Sequence, residues 1–230
     1  MLPILYQDAY LIAISKPAGL LVHRTGLDAG ETRFALQLLR DQIGRPVWPV
    51  HRLDKGTSGV LLFALSRDAA SAVSSLFESS DIAKTYLAAV RGWPADTGLI
   101  DHPLTRLPDD ARGPGAQAAR TRFRTLARRA VPLPYGDFSH TRCALLQLAP
   151  ETGRRPQLRR HCKHIAHPII GDATHGKGPL NRALAGWLGV QRLWLHAASL
   201  RLRHPCTGAP LVIEAAPGPE WARWEAAEAA

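Results

Sequence analysis

The run GVLLFALS (59–66) constrains the fold more than any other stretch, because it is almost wholly apolar and turn-forming residues precede it. Its length suits a buried strand and is far too short for a membrane-spanning helix. Ser66 predicts the N-cap of a following helix. The apolar residues of that helix share one face: Ala69, Ala70, Val73, Leu76 and Phe77. A buried strand followed by an amphipathic helix predicts a sheet covered by helices.

The other segments mix short strands and short helices without strict alternation. Strand patterns occur at 4–15 (two strands around Gln7 and Asp8), 82–92, 118–129, 141–150, 192–200 and 211–215. Helical patterns occur at 31–43, 154–166 and 219–227, and residues 94–117 are predicted to be a loop. The predicted fold class is α/β of the α+β type, with a mixed, largely antiparallel sheet flanked by helices. We expect residues 1–230 to form a single domain, because 46% apolar content suits one core of this size.

The charge of the chain favours a polyanionic partner. The formal net charge is +10, and residues 112–160 hold eleven arginines against two acids, Asp137 and Glu151. An arginine-rich composition could by itself raise this count. The local depletion of acids nevertheless favours a surface that faces RNA or DNA.

Cysteine usage and the chain start bear on the compartment. Three cysteines without paired spacing do not form a disulfide framework, which favours a reducing compartment. The first ten residues have no basic region ahead of an apolar core, and no apolar run reaches the roughly 18 residues of a membrane helix. We therefore expect a cytoplasmic protein that does not enter a membrane.

Two motifs that suggest ligand sites have simpler interpretations. GDATHGKG (171–178) resembles a phosphate-binding loop, but Gly178 takes the place of the magnesium-binding hydroxyl and Pro179 argues against the helix that should follow. HCKHIAHP (161–168) gathers three histidines and a cysteine at a spacing that matches no familiar zinc signature. We interpret the first as a loop and the second as the basic side of a helix.

Asp54, within HRLDKGTSGV (51–60), has two interpretations. Aspartate next to Gly, Thr and Ser commonly closes a turn by bonding nearby backbone amides. It could instead be a catalytic carboxylate between the cations Arg52 and Lys55, although no second carboxylate lies near it in the sequence, as a glycosidase would need. The local chemistry alone leaves both interpretations open.

The motif HRLDKGTSG resembles the catalytic motif of the RluA-type pseudouridine synthases. Further matches follow the same order in that family: KPAGLLVH (16–23), AKTYLAAVRG (83–92), ETGRRPQLRRHCKHIAHPIIGD (151–172) and LHAASLRLRHPCTGAPLVIEA (195–215). The chain is thus identified as a member by five motifs that span nearly its whole length. The resemblance implies the catalytic core of that family, without a separate N-terminal RNA-binding domain of the S4 type.

The implied reaction breaks the N1–C1′ bond of a uridine, turns the uracil and rejoins it through C5, so it needs no cofactor and no metal. Asp54 would either attack C1′ or remove the C2′ proton, and both routes need its carboxylate ionised. By resemblance Arg159 would pair with it and keep it so. The resemblance makes Tyr86 the residue that packs on the flipped uracil and can assist proton transfer from C5.

The resemblance also implies the residues that bind the RNA. Arg52 would fill the space that the flipped base leaves, and Leu158 would form an apolar wall. The implied substrate-binding set is Arg52, Leu158, His51, Arg154, Arg155 and Arg160, with His51 helping Thr57, Ser58 and Gly59 to shape the loop. Lys16 and Pro17 are expected to give structural support. Pro156 stands where relatives usually have histidine, which affects the hydrogen bonding around Arg159.

The substrate implied by the resemblance is tRNA. The compact N-terminus and the pieces RDQIG, RRH and QRLWLHA favour the tRNA-modifying members, for which uridine 65 in the acceptor–T-stem region is the implied target. Ribosomal RNA is the alternative substrate, and an RNA-binding or RNA-folding protein without catalysis is the alternative of another class. The habit of the family implies a monomer.

Overall fold

The computed structural model describes residues 1–23, 30–79, 81–108 and 113–225. Arg112, the first arginine of the basic stretch, lies outside these residues. The chain divides into two compact units. The first unit comprises Met1–Lys84 and His196–Pro217, and the second comprises Thr85–Leu195 and Gly218–Ala230.

The elements follow one another in a mixed order, as the sequence predicts. The strands are β1 (Ile4–Gln7), β2 (Leu11–Lys16), β3 (Trp48–Pro49), β4 (Ser58–Ala64), β5 (Ala83–Arg91), β6 (Thr97–Asp101), β7 (Leu104–Thr105), β8 (Ala116–Gln117), β9 (Arg120–Val131), β10 (Thr141–Pro150), β11 (Leu195–Arg203) and β12 (Pro210–Glu214). The helices are α1 (Ala35–Ile43), α2 (Arg67–Glu78), α3 (Gln157–His164), α4 (Gly178–Leu188) and the short α5 (Ala222–Glu225), which follows a 3₁₀ turn. No helix of the described residues is long and apolar enough to cross a membrane.

In the first unit β4 is the central strand. It pairs antiparallel with β2 and β3 and parallel with β11, while β1 and β12 extend the sheet on β2 and β11. All of β4 is buried, and its alternate residues Val60, Leu62 and Ala64 share a core cluster with Val73 of α2. Ser66 caps α2 by accepting a hydrogen bond from the backbone N–H of Ala69. The prediction of a buried strand and a capped helix is confirmed.

In the second unit β10 pairs antiparallel with β5 on one side and with β9 on the other, and β6 extends the sheet on β9. One apolar cluster joins this sheet to α3 through Leu158 and Cys162. A second cluster lies against α4 and includes Trp194, which makes edge contacts with Trp221 and Trp224. The fold class is confirmed: the sheets are mixed and mostly antiparallel, and helices flank them.

Two predictions about local structure are wrong. Residues 94–117 contain β6, β7 and β8, because β6 finds a long partner strand in β9 that local composition cannot reveal. Pro179 does not prevent a helix, since it occupies the first turn of α4, where a missing N–H leaves no hydrogen bond unmade. Cys143 and Cys162 are buried and Cys206 is exposed, and none of the three forms a disulfide.

Candidate active site

Asp54 lies in a tight turn between β3 and β4 in the first unit. Its carbonyl accepts a hydrogen bond of 3.0 Å from the backbone N–H of Thr57, and the residue is half-buried. Thr57 and Ser58 are buried immediately after it. The turn therefore presents Asp54 at the point where the chain enters the central strand.

Lys16 fastens this turn to the KPAG segment. Its side chain is fully buried, and Nζ donates to the carbonyls of Pro17 (2.9 Å), Leu20 (2.7 Å) and Lys55 (3.2 Å). The N–H of Gly19 also donates to the carbonyl of Lys55, at 2.8 Å. A buried ammonium is tolerable when its protons are matched by acceptors, as here. The supporting role predicted for Lys16 is what these contacts provide.

His51 is turned toward the interior of its unit. Burial of the imidazole, followed by the charge of Lys84, lowers the pKa of His51 to about 3. The neutral ring stacks on Phe77 with 4.7 Å between centroids, and Nε2 accepts a hydrogen bond of 2.9 Å from the N–H of Leu62. These contacts suit the loop-shaping role, and substrate contact by His51 stays a prediction.

Close approach of two strands fixes the exit from the turn. Gly59 has φ of +108°, and a Cβ placed on it would lie 2.1 Å from the carbonyl oxygen of Ala197 in β11. Beside it, Nε2 of His196 donates to the carbonyl of Ala215, so Nδ1 accepts from the hydroxyl of Ser58; both distances are 2.9 Å. Only glycine fits at position 59, which explains the end of the TSG motif.

Arg52 is the exposed member of the same turn region. Its charge acts at a distance on His23, whose pKa is lowered first by burial and then by Arg52. His51, Arg52 and Asp54 are therefore brought together on one loop, with His51 inside and the guanidinium at the surface. An exposed arginine next to the candidate nucleophile is placed where an RNA substrate could meet it.

Tyr86 and Leu158 belong to the second unit, where they meet the same apolar cluster. Leu158 is one of its buried members, and the half-buried Tyr86 packs against it from β5, opposite Leu148 of β10. The structure thus gives both residues a common apolar setting, which suits the wall and the stacking ring that the resemblance implies.

Arg159 makes a bidentate ion pair with Asp172. Nε and one terminal nitrogen of Arg159 each lie 2.8 Å from a carboxylate oxygen, and the same nitrogen lies 3.2 Å from the hydroxyl of Thr174. Burial would raise the pKa of Asp172, but the hydrogen bond from Arg159 and those from the N–H groups of His175 and Thr174 hold it below its ordinary value. The pairing of Arg159 with Asp54 stays a prediction.

Asp172 is a site residue that sequence reasoning missed. One signal was present: Asp172 is the single acid between Glu151 and Glu214 in a strongly basic segment. A lone carboxylate among many cations tends to be held by one of them, because an unpaired buried charge is costly. Which cation holds it could not be read from spacing.

Gln157 sets the start of α3. Its Oε1 accepts from the hydroxyl of Thr152 and from the N–H of Arg154, and its Nε2 donates to the carbonyl of Arg120 and the hydroxyl of Thr121. All four hydrogen-bonding positions of this buried amide are used. Pro156 occupies the N-cap directly before it, where a proline removes no hydrogen bond of the helix.

The predicted basic residues around α3 differ in their settings. Arg155 is exposed, Arg154 is half-buried with Nε donating to the carbonyl of Ala118, and Arg160 donates to the carbonyl of Thr105 at 2.6 Å. All three belong to the second unit, as does Arg159. Their contact with RNA stays a prediction.

Several arginines of the basic stretch already hold carboxylates. On β9, Arg120 pairs with Asp101 and Glu151, Arg122 with Glu151, and Arg128 with Asp96. Asp96 and Asp101 lie before the stretch in sequence, and the pairing of β6 with β9 brings them to it. The arginine count therefore overstates the unpaired positive charge of this strand.

Among the described residues, no group of three or more His, Cys, Asp or Glu is arranged to hold a metal ion. The histidines of α3 instead have hydroxyl, carbonyl and ring partners of their own. Nδ1 and Nε2 of His161, for example, are bonded to Thr121 and to the carbonyl of His102.

Comparison with known sequences shows which family the chain belongs to. The sequence model of the family described as RNA pseudouridylate synthase matches residues 10–164, more than half of the chain. The tRNA pseudouridine synthase C of Vibrio cholerae is 49% identical over 227 residues, covering 96% of this chain and 93% of that protein. The protein of the same name from Pasteurella multocida is 48% identical over 228 residues, with the same coverages.

Solved structures agree with the observed fold. Human RNA pseudouridylate synthase domain containing 4 superposes with a TM-score of 0.72 at 26% identity, covering 97% of this chain and 93% of that one. Human RNA pseudouridylate synthase domain containing 1 gives a TM-score of 0.74 at 25% identity, covering 95% of this chain and 84% of that one.

Proposed function

Because the chain belongs to the RNA pseudouridylate synthase family, and so is an isomerase, we propose that it converts one uridine of tRNA to pseudouridine with Asp54 as the residue that acts on the ribose. The observation that carries the residue assignment is the fixed turn at Asp54. The buried Lys16 ammonium donates to the carbonyl of Lys55, and the N–H of Thr57 donates to the carbonyl of Asp54 itself. A main chain held in this way pre-organises the position from which the Asp54 side chain acts.

The reaction is balanced without a redox partner. The N1–C1′ bond breaks, the uracil turns, C5 bonds to C1′, and the proton of C5 leaves while N1 gains one. Asp54 either forms a bond to C1′ that breaks when C5 bonds there, or takes the C2′ proton to give a glycal-like sugar and returns it when C5 bonds to C1′. Both routes begin with an ionised carboxylate.

The remaining site residues receive the roles that the resemblance implies. Tyr86 packs on the flipped uracil and assists proton transfer from C5, Arg159 keeps Asp54 ionised, and Arg52 fills the space left in the RNA stack. Leu158 supplies an apolar wall beside Tyr86. A base that leaves its stack costs a few kcal/mol, which these contacts have to offset.

The choice of tRNA rests on full-length similarity to relatives named tRNA pseudouridine synthase C. Uridine 65 in the acceptor–T-stem region is the proposed position, by resemblance. We further propose that the protein acts in the cytoplasm, as a monomer, with residues 1–230 forming one catalytic domain.

Site-resolved pseudouridine mapping of total RNA, from cells with and without the protein, tests the substrate. Loss of one signal at position 65 of tRNA is the expected result. Loss of a signal in ribosomal RNA alone would replace tRNA by the alternative substrate, and an unchanged map would leave the non-catalytic RNA-binding alternative.

The substitution Asp54→Asn tests the chemistry. We expect it to abolish product while RNA affinity stays within about twofold, because the amide keeps the size of the side chain but cannot act as nucleophile or base. Asp41→Asn is the matched control, since Asp41 is an exposed carboxylate paired with Arg40 in the same unit. Product formation by Asp54→Asn at the wild-type rate would contradict the assignment.

A further inference from the structure

An open cavity of about 200 Å³ lies in the second unit, between α3 and the segment around β7. One apolar residue, Leu104, lines it. The other lining residues carry basic side chains: His102, Arg160, Lys163, His164 and His175. A water takes up about 30 Å³ in the liquid. The cavity therefore has room for a partly hydrated anion the size of a phosphate group.

Helix geometry explains why three of these side chains meet. Arg160, Lys163 and His164 stand three and four residues apart, so they share one side of α3. The guanidinium of Arg160 is steadied by its 2.6 Å hydrogen bond to the carbonyl of Thr105 in β7. One helix face thus presents a guanidinium, an ammonium and an imidazole to the same space.

The opposite wall is held by a buried histidine. Nε2 of His161 donates to the carbonyl of His102 at 3.0 Å, and Nδ1 accepts from Thr121, whose hydroxyl also binds Gln157. This chain of hydrogen bonds fixes the backbone of His102 against α3. The ring of His102 then stacks on His164, with 3.7 Å between centroids and 14° between planes.

Arg160 and Lys163 supply the permanent positive charge of this cavity. None of the described carboxylates forms an ion pair with Arg160 or Lys163, and the nearby Asp172 is already held by Arg159. Burial comes first among the causes that lower the pKa of His175, and the charges of Arg159, Arg160 and Lys163 add to it while Asp172 opposes it. An anion placed here would relieve the repulsion among these groups.

A metal ion is a poorer occupant than an anion. The cavity contains an arginine and a lysine, which bind no metal, and no described cluster has the arrangement that a metal needs. Arginine and lysine beside histidine N–H groups are, in contrast, the groups that bind phosphate in RNA-binding proteins.

We propose that this cavity, lined by His102, Arg160, Lys163, His164 and His175, binds a backbone phosphate of the RNA substrate away from the target uridine. The inference rests on the proposed function for its choice of RNA. Lys163 lies four residues after Arg159 on α3, about 6 Å along the helix axis. A phosphate held there would set the register of the RNA relative to Leu158 and Arg159 on the same helix.

The test is RNA affinity as a function of salt. A fluorescently labelled acceptor–T-stem RNA is titrated with the full chain at several KCl concentrations, for the wild type and for the double variant Lys163→Ala/His164→Ala. We expect the variant to bind about tenfold more weakly at low salt and its slope of log affinity against log salt to fall by about one, as for one lost phosphate contact. Both residues are exposed, and circular dichroism verifies that the variant is folded.

Lys177→Ala is the matched control, because Lys177 is an exposed lysine of the same unit that does not line the cavity. It should change the slope by less than half as much as the double variant. A double variant that is folded and keeps the wild-type slope overturns the proposal, as does a control that loses as much as the double variant.

A second experiment, with inorganic phosphate, distinguishes the two possible sources of the bound anion. These are a backbone phosphate of the RNA and a free phosphate ion. Histidine Cε1–H resonances of the wild type should shift on addition of phosphate, and these shifts should vanish when saturating RNA is present. Shifts that persist unchanged in the presence of RNA would overturn RNA as the source. Product formation is measured separately: if the wild type made no pseudouridine but the slope still fell in the double variant, the proposed reaction would fail and the cavity assignment would stand.

Discussion

The turn that carries Asp54 and the helix that carries Arg159 are held in place by different forces. The turn is fixed by hydrogen bonds from Lys16 to main-chain carbonyls and by the close approach of Gly59 to β11. The helix side chain is fixed by a buried ion pair with Asp172. The stability of the turn should therefore depend on side-chain volume and on the hydrogen-bond donors of Lys16. The stability of the helix region should depend on charge and on pH.

Gly59→Ala should reduce stability the most, because it adds side-chain volume where the turn lies against β11. The added Cβ would meet the backbone oxygen of Ala197 at 2.1 Å, and φ is +108°. We expect a loss of about 4 kcal/mol in the free energy of unfolding, from backbone strain and overpacking together. Urea-induced unfolding measures it.

Gly44→Ala separates the two causes. Gly44 also has positive φ, +66°, but nothing lies within 4 Å of its added Cβ. It should lose only about 1 kcal/mol, the cost of a left-handed alanine. Equal losses for the two variants would mean that the contact with β11 does not limit the turn.

Asp172→Asn removes the ion pair that fixes Arg159 on α3. It leaves Arg159 without its carboxylate in a setting that is mostly buried, since the Arg159 side chain is 18% exposed and that of Asp172 0%. We expect a loss of about 3 kcal/mol in stability at pH 7, together with slower product formation as Arg159 loses its orientation. Thermal unfolding and single-turnover assays measure the two effects.

The pH dependence of that loss has a definite sign. The pKa of Asp172 is lower in the folded protein than in the unfolded chain, so its contribution is fully present above the unfolded value of about 3.9. It disappears as the pH falls through the folded value. The stability gap between wild type and Asp172→Asn should narrow below about pH 4, and a gap that stays constant to lower pH would contradict the ion-pair explanation.

Lys16→Met should give the smallest of the three effects. The thioether nearly keeps the length of the side chain but removes the donors to the carbonyls of Pro17, Leu20 and Lys55. We expect a loss of about 2 kcal/mol in stability, as for hydrogen bonds from a charged group, and severalfold slower product formation because the Asp54 turn loosens.

Lys55→Ala is the control for that change. The Lys55 side chain forms an exposed ion pair with Glu31, and only its backbone carbonyl belongs to the network of Lys16. Its substitution should alter stability by about 0.5 kcal/mol or less. If Lys55→Ala were as damaging as Lys16→Met, surface charge would be holding the turn.

Local sequence patterns predict a helix or strand best when its own apolar and polar periodicity reveals which face is buried. The cap at Ser66, the two strands around Asp8 and the strand at 141–150 follow from nearest neighbours and alternation, and all are present. The loop predicted at 94–117 is wrong for β6 because its partner β9 begins nineteen residues after β6 ends, beyond the reach of local patterns. Helix α4 escapes the sequence-based prediction because proline breaks a helix only in its interior, and Pro179 lies in the first turn.

The sequence by itself determined the family and the order of the motifs, because residues that act on one loop stand next to one another. The tertiary structure decided which charge each residue meets. Asp172 joins Arg159, Asp96 and Asp101 neutralise arginines of β9, and His102 stacks on His164 across sixty-two positions of the chain. Such pairings depend on strand register and helix placement, which are set by burial of the whole core. A charge count along the chain is therefore a poor guide to electrostatic potential, and the cavity beside α3 could be recognised only after folding had brought its cations together.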